Sequence, residues 1–368
     1  MSRAESLVTL RSAVGAEIAI DGRRYLNFGG SSYLGLASIP EILQAGIDAL
    51  RECGSGVPVP LTHRIATWPL QEVEVQAAAF FGRESALFLA GGYYVGLATA
   101  SAARARFGAI FYDELSHYAL RDGIAASGLP GFAFRHRDAS DLAVQLKRHL
   151  PARTRPLIAT DGLYSTFGDI APLPELAQAM APYDGRLLID ESHSFGVLGD
   201  LGRGAVEHFG IDPKLTWVGG SLGKAFGTCG GVIPASEADV AAFCATPVGL
   251  GASTGLGAAA AMCARSLRYV RDHPELLQRL RANTVHMKLG LKSLGLDVGD
   301  SVAPIAAFSL GSRETMRVLK ERLMGHGIFV YHSVYIGAGE AGVIRCAIFA
   351  DHTSEQIDGF LHTLERLL

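Results

Sequence analysis

Through the middle of the chain, short β-branched or aromatic runs alternate with longer Ala- and Leu-rich stretches, and this alternation limits the possible folds more than any other feature. Strands separated by helix-length segments return to a sheet in parallel, so the pattern predicts βα units around a mainly parallel sheet. The expected strands are Ala86–Leu89, Ala109–Tyr112, Phe132–Arg135, Pro156–Thr160, Arg186–Asp190, Leu215–Val218 and Gly231–Pro234. Helices are expected to start at Pro40, Asp141 and Pro174, where Pro or a capping residue meets an apolar-periodic run.

From about His273 the order becomes helix (Pro274–Leu294), strand (Ile305–Leu310), helix (Arg313–His326), two strands (Ile328–Val334 and Val343–Phe349) and a last helix (Ser354–Leu368). That order predicts a smaller α+β domain. Asp21-Gly22 between two apolar runs predicts a hairpin over Glu17–Phe28. The resulting division is an N-terminal segment, 1–50, packing with the small domain; a large domain, 51–272; and the small C-terminal domain, 273–368.

Charge and cysteine usage exclude several function classes. The 33 basic and 36 acidic residues form no run of like charge, which argues against a nucleic-acid or anionic-membrane surface and points to a small-molecule partner. Five scattered cysteines without a Cys-x-x-Cys pair read as reduced thiols rather than disulfides or metal ligands. Arg3, Glu5 and Arg11 interrupt the N-terminus where a secretory signal needs an unbroken apolar core, so the chain is expected in the cytoplasm. The uncharged windows Ser85–Ala103 and Val240–Ala264 fail as membrane spans, because Gly91-Gly92 and Tyr93-Tyr94 break the first and Pro247 with several glycines breaks the second.

Glycine, at 44 residues, is well above the roughly 7% average, yet there is no collagen period and the apolar fraction is too high for disorder. Gly337-Ala338-Gly339-Glu340-Ala341-Gly342 has the spacing of a dinucleotide fingerprint, but a strand-like run follows it instead of a helix, so it reads as a turn. Gly223-Lys224 resembles the end of a phosphate-binding P-loop, but Val218 and Ala225 stand where glycine and Ser or Thr are required. Gly91-Gly92-Tyr93, after an apolar strand, suits a phosphate held on backbone N–H groups at a helix start.

A stronger signal is a constellation. Strand Arg186–Asp190 ends in a carboxylate and runs into Glu191-Ser192-His193, while the next strand runs through Gly219-Gly220-Ser221 to Lys224. In a doubly wound sheet the carboxyl ends of strands border the ligand crevice, which brings Asp190, His193 and Lys224 to one edge. Such a lysine is either an ordinary surface residue or one kept partly desolvated so that its neutral amine attacks a carbonyl. A metal reading of Asp190, Glu191 and His193 lacks a third convergent ligand, and no metal is expected.

Asp190-x-x-His193 followed by Ser221-x-x-Lys224-Ala225-Phe226-Gly227 resembles the pyridoxal-phosphate (PLP) site of fold-type-I, aspartate-aminotransferase-like enzymes. The run from Asp161 to Leu173, with Gly196-Val197-Leu198-Gly199 and Gly202-Arg203-Gly204, is similar to the α-oxoamine synthases among them, and the likeness extends from Tyr33 to the C-terminal helix. The resemblance implies that Lys224 forms the cofactor's Schiff base, that Asp190 pairs with the ring nitrogen, that His193 and Ser165 bond the phenolic oxygen, and that His117 stacks on the ring. It further implies that Gly92, Tyr93 and Ser221 hold the phosphate, with Ser253 and Thr254 reaching it from the second subunit of a homodimer, and that Arg345 grips the amino-acid carboxylate.

The chain departs from the family pattern in places. The proline-bearing loop from Val57 to Pro69 replaces a glycine- and arginine-containing one, Ser32 replaces an asparagine, Val95-Gly96 an Ala-Asn, and Val343 an arginine. The implied activity is decarboxylative condensation of an α-amino acid with an acyl thioester, on coenzyme A or a carrier protein, to an α-amino ketone. The alternatives are an aminotransferase or other α-carbon chemistry on the same fold, and a non-catalytic subunit, against which the retained Lys224 speaks.

Overall fold

The computed structural model describes residues 8–56, 65–252 and 255–368. It divides into two compact units, one of Met1–Ser38, Thr166–Gly168 and Glu275–Leu368, the other of Ile39–Ser165 and Asp169–Pro274. Strands are numbered along the chain. In the first unit β1 (Glu17–Ile20) and β2 (Arg23–Asn27) form the expected hairpin, with Asp21 and Gly22 at φ of 48° and 81° as a two-residue primed turn requires.

In the second unit β3 (Ser85–Leu89), β4 (Ala109–Asp113), β5 (Gly131–Phe134), β6 (Pro156–Asp161), β7 (Arg186–Asp190), β8 (Thr216–Ser221) and β9 (Gly231–Ala235) form one sheet in the order β3-β9-β8-β7-β6-β4-β5. The strands from β5 to β8 pair in parallel, while β9 runs antiparallel to both neighbours. Their near-continuous apolar character follows from burial on both faces. One face packs Leu87, Ile110, Leu157, Leu188, Trp217 and Ile233 into a single core. The largest departure from expectation is β8, which continues through Gly219 and Gly220. A Cβ on Gly219 would lie 2.6 Å from Val95 Cγ1 and 2.9 Å from the Val232 carbonyl oxygen, so tight packing, not a turn, explains that glycine.

Helix Trp68–Phe81 covers the β3 edge, and its Glu74 accepts the Phe88 N–H at 3.1 Å. Helices Tyr93–Ala103 and Tyr118–Ser127 touch backbone to backbone at Gly96 and Gly123, where a Cβ on Gly123 would meet the Gly96 oxygen at 2.3 Å. This contact fixes the two helix starts, Gly92 and His117, relative to each other. The helix expected at Asp141 begins at Ala139, because Asp138 is the cap and accepts the Asp141 N–H.

In the first unit β10 (Ile305–Phe308), β11 (Ile328–Phe329), β12 (Tyr331–Ser333) and β13 (Val343–Ala347) complete two three-stranded sheets, β1-β2-β11 and β10-β13-β12. The single strand expected over Ile328–Val334 is therefore split at buried Val330: β11 pairs in parallel with β2, and β12 antiparallel with β13. Helices Glu275–Ser293, Arg313–Gly325 and Ser354–Leu367 pack on a core that includes Phe28, Met287, Ile344 and Phe360. Gly337–Gly342 is a turn with Gly337, Gly339 and Gly342 at positive φ. Among the described residues, no helix is long and apolar enough to cross a membrane.

Candidate active site

Asp113, Asp161, Asp190 and Ser221 are the last residues of β4, β6, β7 and β8, so parallel pairing carries all four to one edge of the sheet. In the ladder Asp161 is paired with Asp190, and Asp190 with Gly219. A cavity opens there, lined by Gly92, Tyr93, His117, Ala119, Asp161, Leu163, Asp190, Ser192, His193, Ser221 and Lys224.

Each lining group is held by its own element. Asp190 accepts the Ser192 N–H at 2.9 Å, and Ser192 Oγ accepts the Ser221 N–H at 2.9 Å, tying the ends of β7 and β8 together. Ser221 Oγ accepts the Gly223 N–H at 3.0 Å. His117 caps helix Tyr118–Ser127: its Nδ1 accepts the Ala119 N–H at 3.0 Å, and its own N–H donates to Asp161 Oδ1 at 3.1 Å. Burial lowers the pKa of His117, Asp190 opposes the shift and Lys224 reinforces it, so the ring is neutral at pH 7. With Nδ1 accepting, its proton lies on Nε2. Lys224 lies in the loop between β8 and β9, closed at its base by a 2.9 Å bond from the Leu222 N–H to the Gly230 oxygen and inside it by a 3.0 Å bond from the Gly227 N–H to the Lys224 oxygen.

The structure thus brings Gly92, Tyr93, His117, Asp190, His193, Ser221 and Lys224 to one cavity. The Tyr93 hydroxyl is engaged by Asp122, whose bond raises the tyrosine pKa. Ser165 is half-buried in the turn after β6 and does not line the cavity. Arg345 belongs to the other unit; it is buried on β13 and donates from Nη1 to the Gly30 oxygen (2.9 Å) and from Nη2 to Tyr33 Oη (3.2 Å). Ser253 and Thr254, and Val57 to Arg64 of the proline-bearing loop, lie outside the described residues.

Two carboxyls escaped the sequence reading as site elements. In the sequence Asp161 stands out only as the first residue of the run Asp161–Leu173, and its place opposite Asp190 depends on strand register. Glu191 does not line the cavity. It is fully buried, and its oxygens accept the N–H groups of Ala205 (2.8 Å) and Val206 (3.1 Å) and the Ser194 hydroxyl, which clamps the segment after β7. Burial pushes its pKa up to about 7.

Known proteins share this arrangement. The family model for aminotransferase class I and II matches residues 23–364. An 8-amino-7-oxononanoate synthase of Methylococcus capsulatus is 37% identical, over 94% of this chain and 90% of that protein. A serine palmitoyltransferase (SPT) of Sphingobacterium spiritivorum is 32% identical, over 97% of this chain and 90% of that protein. The structure of SPT with its PLP internal aldimine superposes with a TM-score of 0.92 at 27% identity, covering 98% of this chain and 92% of the other. With a cofactor-type cavity at the sheet edge and this likeness along its whole length, the chain belongs to the aminotransferase class I and II family and, within it, to the PLP-dependent α-oxoamine synthases.

Proposed function

We propose that the protein is a PLP-dependent acyltransferase that condenses an α-amino acid with an acyl thioester, releasing carbon dioxide and yielding an α-amino ketone. The observation that carries this reading is the convergence of Lys224, Asp190, His117 and His193 on one cavity beside a helix start. The cavity suits the cofactor on its own geometry. A Cβ on Gly92 would lie 2.5 Å from Ser221 Cβ, so the backbone there is cleared for close approach, and the N-terminus of helix Tyr93–Ala103 favours a phosphate. Asp190, oriented by the Ser192 N–H, supplies the anion that a ring nitrogen needs to stay protonated.

When bound, PLP supplies an electron sink for negative charge at the α-carbon of an attached amino acid. The protein's residues do the rest. The Lys224 amine would hold the cofactor and would carry the proton to and from the substrate α-carbon. Neutral His117 presents an uncharged ring for stacking, and His193 a hydrogen bond to the phenolic oxygen. Arg345, its guanidinium fixed by Gly30 and Tyr33, takes the substrate carboxylate in a bidentate pair. We assign cofactor binding to residues 51–272 and the small domain to 273–368; of the N-terminal segment 1–50, the part up to Ser38 falls in the unit of the small domain and the part from Ile39 in the other.

A homodimer with shared active sites is supported by helix Pro40–Cys53, which exposes Leu43, Ile47 and Leu50 at i, i+4, i+7 spacing, an apolar stripe of the kind a second copy covers. Five unpaired thiols fit a reducing, cytoplasmic setting.

Purified holoenzyme should release carbon dioxide from an amino acid only when an acyl thioester is present. Stoichiometric conversion to the pyridoxamine form with keto-acid release, on adding amino acid alone, would overturn the condensation in favour of transamination.

A further inference from the structure

Asp161 and Asp190 end neighbouring parallel strands as paired residues, at the spacing of about 4.8 Å that adjacent strands impose. Both line the cavity, and Asp113 ends β4 on the other side of β6. Among the described lining residues, Lys224 and the two histidines are the groups able to carry positive charge, and burial holds the His117 pKa down, so little positive charge faces the paired carboxyls. A bound phosphate adds further negative charge. The two aspartates are not equivalent. Asp161 is 7% exposed and accepts the His117 N–H, whereas Asp190 is half-buried and accepts the Ser192 N–H.

We propose that Asp161 works as a neutral carboxylic acid: one oxygen holds the amide of His117, its hydroxyl is a donor inside the cavity, and Asp190 is left as the anion of the pair. This rests on the reading of the cavity as a PLP site. Asp161 is then a positioning residue, setting the place of the His117 ring and keeping a second negative charge away from the cofactor. The groups around it agree in sign. Burial raises its pKa well above the carboxylate range, the Asp190 and Asp113 charges push the same way, and the His117 amide and Lys224 pull against them. Nearby Tyr164 is itself raised above its usual range, bonded to Thr160 at 2.7 Å, and brings no charge.

The test is a pH titration of the holoenzyme's visible Schiff-base absorbance, together with the dissociation constant of PLP, in the wild type, Asp161→Asn and Asp161→Ala. Asparagine keeps an acceptor for His117 and a donor for the cavity without charge. If Asp161 is already neutral, Asp161→Asn leaves the midpoint within about 0.3 units and PLP affinity within about threefold, because no charge is lost. Asp161→Ala should weaken PLP binding about tenfold, since the His117 amide loses its acceptor. A midpoint lowered by about one unit or more in Asp161→Asn would mean that a nearby anion had been removed, and overturns the proposal. So does an alanine variant that binds PLP as tightly as the asparagine variant. Should the alanine variant fail to fold, the asparagine midpoint alone decides. A wild type with no visible band refutes the PLP reading, and the proposal falls with it; a normal band with a shifted midpoint refutes only the proposal.

Discussion

Adding one methyl group at Gly92 tests the cofactor cradle. The Cβ of Gly92→Ala would lie 2.5 Å from Ser221 Cβ and 2.9 Å from Ser221 Cα and Oγ, where ordinary carbon contacts are about 3.5 to 4.0 Å. Roughly 1 Å of separation has to be created, and Ser221 cannot give way easily. It closes β8 opposite Gly231 and donates its N–H to Ser192. The start of helix Tyr93–Ala103 therefore moves instead, taking the Gly92–Tyr93 backbone, where the phosphate is proposed to bind, with it. Overpacking of this kind costs about 1 to 3 kcal/mol, which corresponds to a loss of about 5- to 150-fold in PLP affinity. The neighbouring Gly91 is the control, because a Cβ there meets nothing closer than the Tyr94 ring at 3.8 Å. The assay is reconstitution of the apoprotein with increasing PLP, followed by visible absorbance. Wild-type affinity in Gly92→Ala, or an equal loss in Gly91→Ala, would refute the argument that the close approach to Ser221 shapes the phosphate site.

Three further outcomes are expected. Lys224→Ala should abolish the visible absorbance of the holoprotein while its far-UV circular dichroism is unchanged; a retained band means another amine holds the cofactor. Asp239→Ala should lower the unfolding midpoint by several degrees, with activity per folded molecule unchanged. Asp239 is the partner of both Arg106 and Arg186 beside the buried Trp217 ring, and a charge-assisted bond is worth about 1.5 to 3 kcal/mol. Burial pushes the carboxyls of Glu74 and Glu191 up to about 7. Because the folded state then holds these protons more tightly than the unfolded chain, stability falls as pH rises from about 4.5 to 7, by about 1.4 kcal/mol per pH unit for each group. Glu74→Gln, which can still accept the Phe88 N–H, should make the decline in thermal midpoint shallower, and an unaltered slope would discount the burial argument for Glu74.

The sheet and the heart of the site were legible because both are written locally. Each parallel strand is a short apolar run, and Asp190, His193 and Lys224 follow strand ends directly, so placing the strands places them too. What escaped depends on contacts distant in sequence. Asp161 matters through its register against Asp190, and Glu191 through amides that arrive only when the chain returns at Ala205 and Val206. Gly219-Gly220 resembles a turn in composition, yet neighbouring side chains press it flat into β8. Ile328–Val334 has the pattern of one strand, and only the presence of two partners, β2 and β13, divides it at Val330. Lys224, Asp190 and His193 suit the aminotransferase and the acyltransferase readings alike, and it is the similarity along the whole chain that favours the second.

The antiparallel β9 has a consequence for how firmly Lys224 is held. In a parallel βα unit, a residue beyond a strand end is tethered to the sheet on one side only. Lys224 is instead at the tip of a hairpin whose two arms, β8 and β9, are neighbours in the same sheet, with the Leu222 N–H bonded to the Gly230 oxygen across its base. Opening that loop requires breaking sheet hydrogen bonds rather than fraying a helix end, so the Leu222 and Thr228 amides should exchange with solvent deuterium as slowly as those of the sheet interior. On this reasoning Lys224 sits on the slow-exchanging part of the molecule, and any opening of the cavity has to come from motion elsewhere.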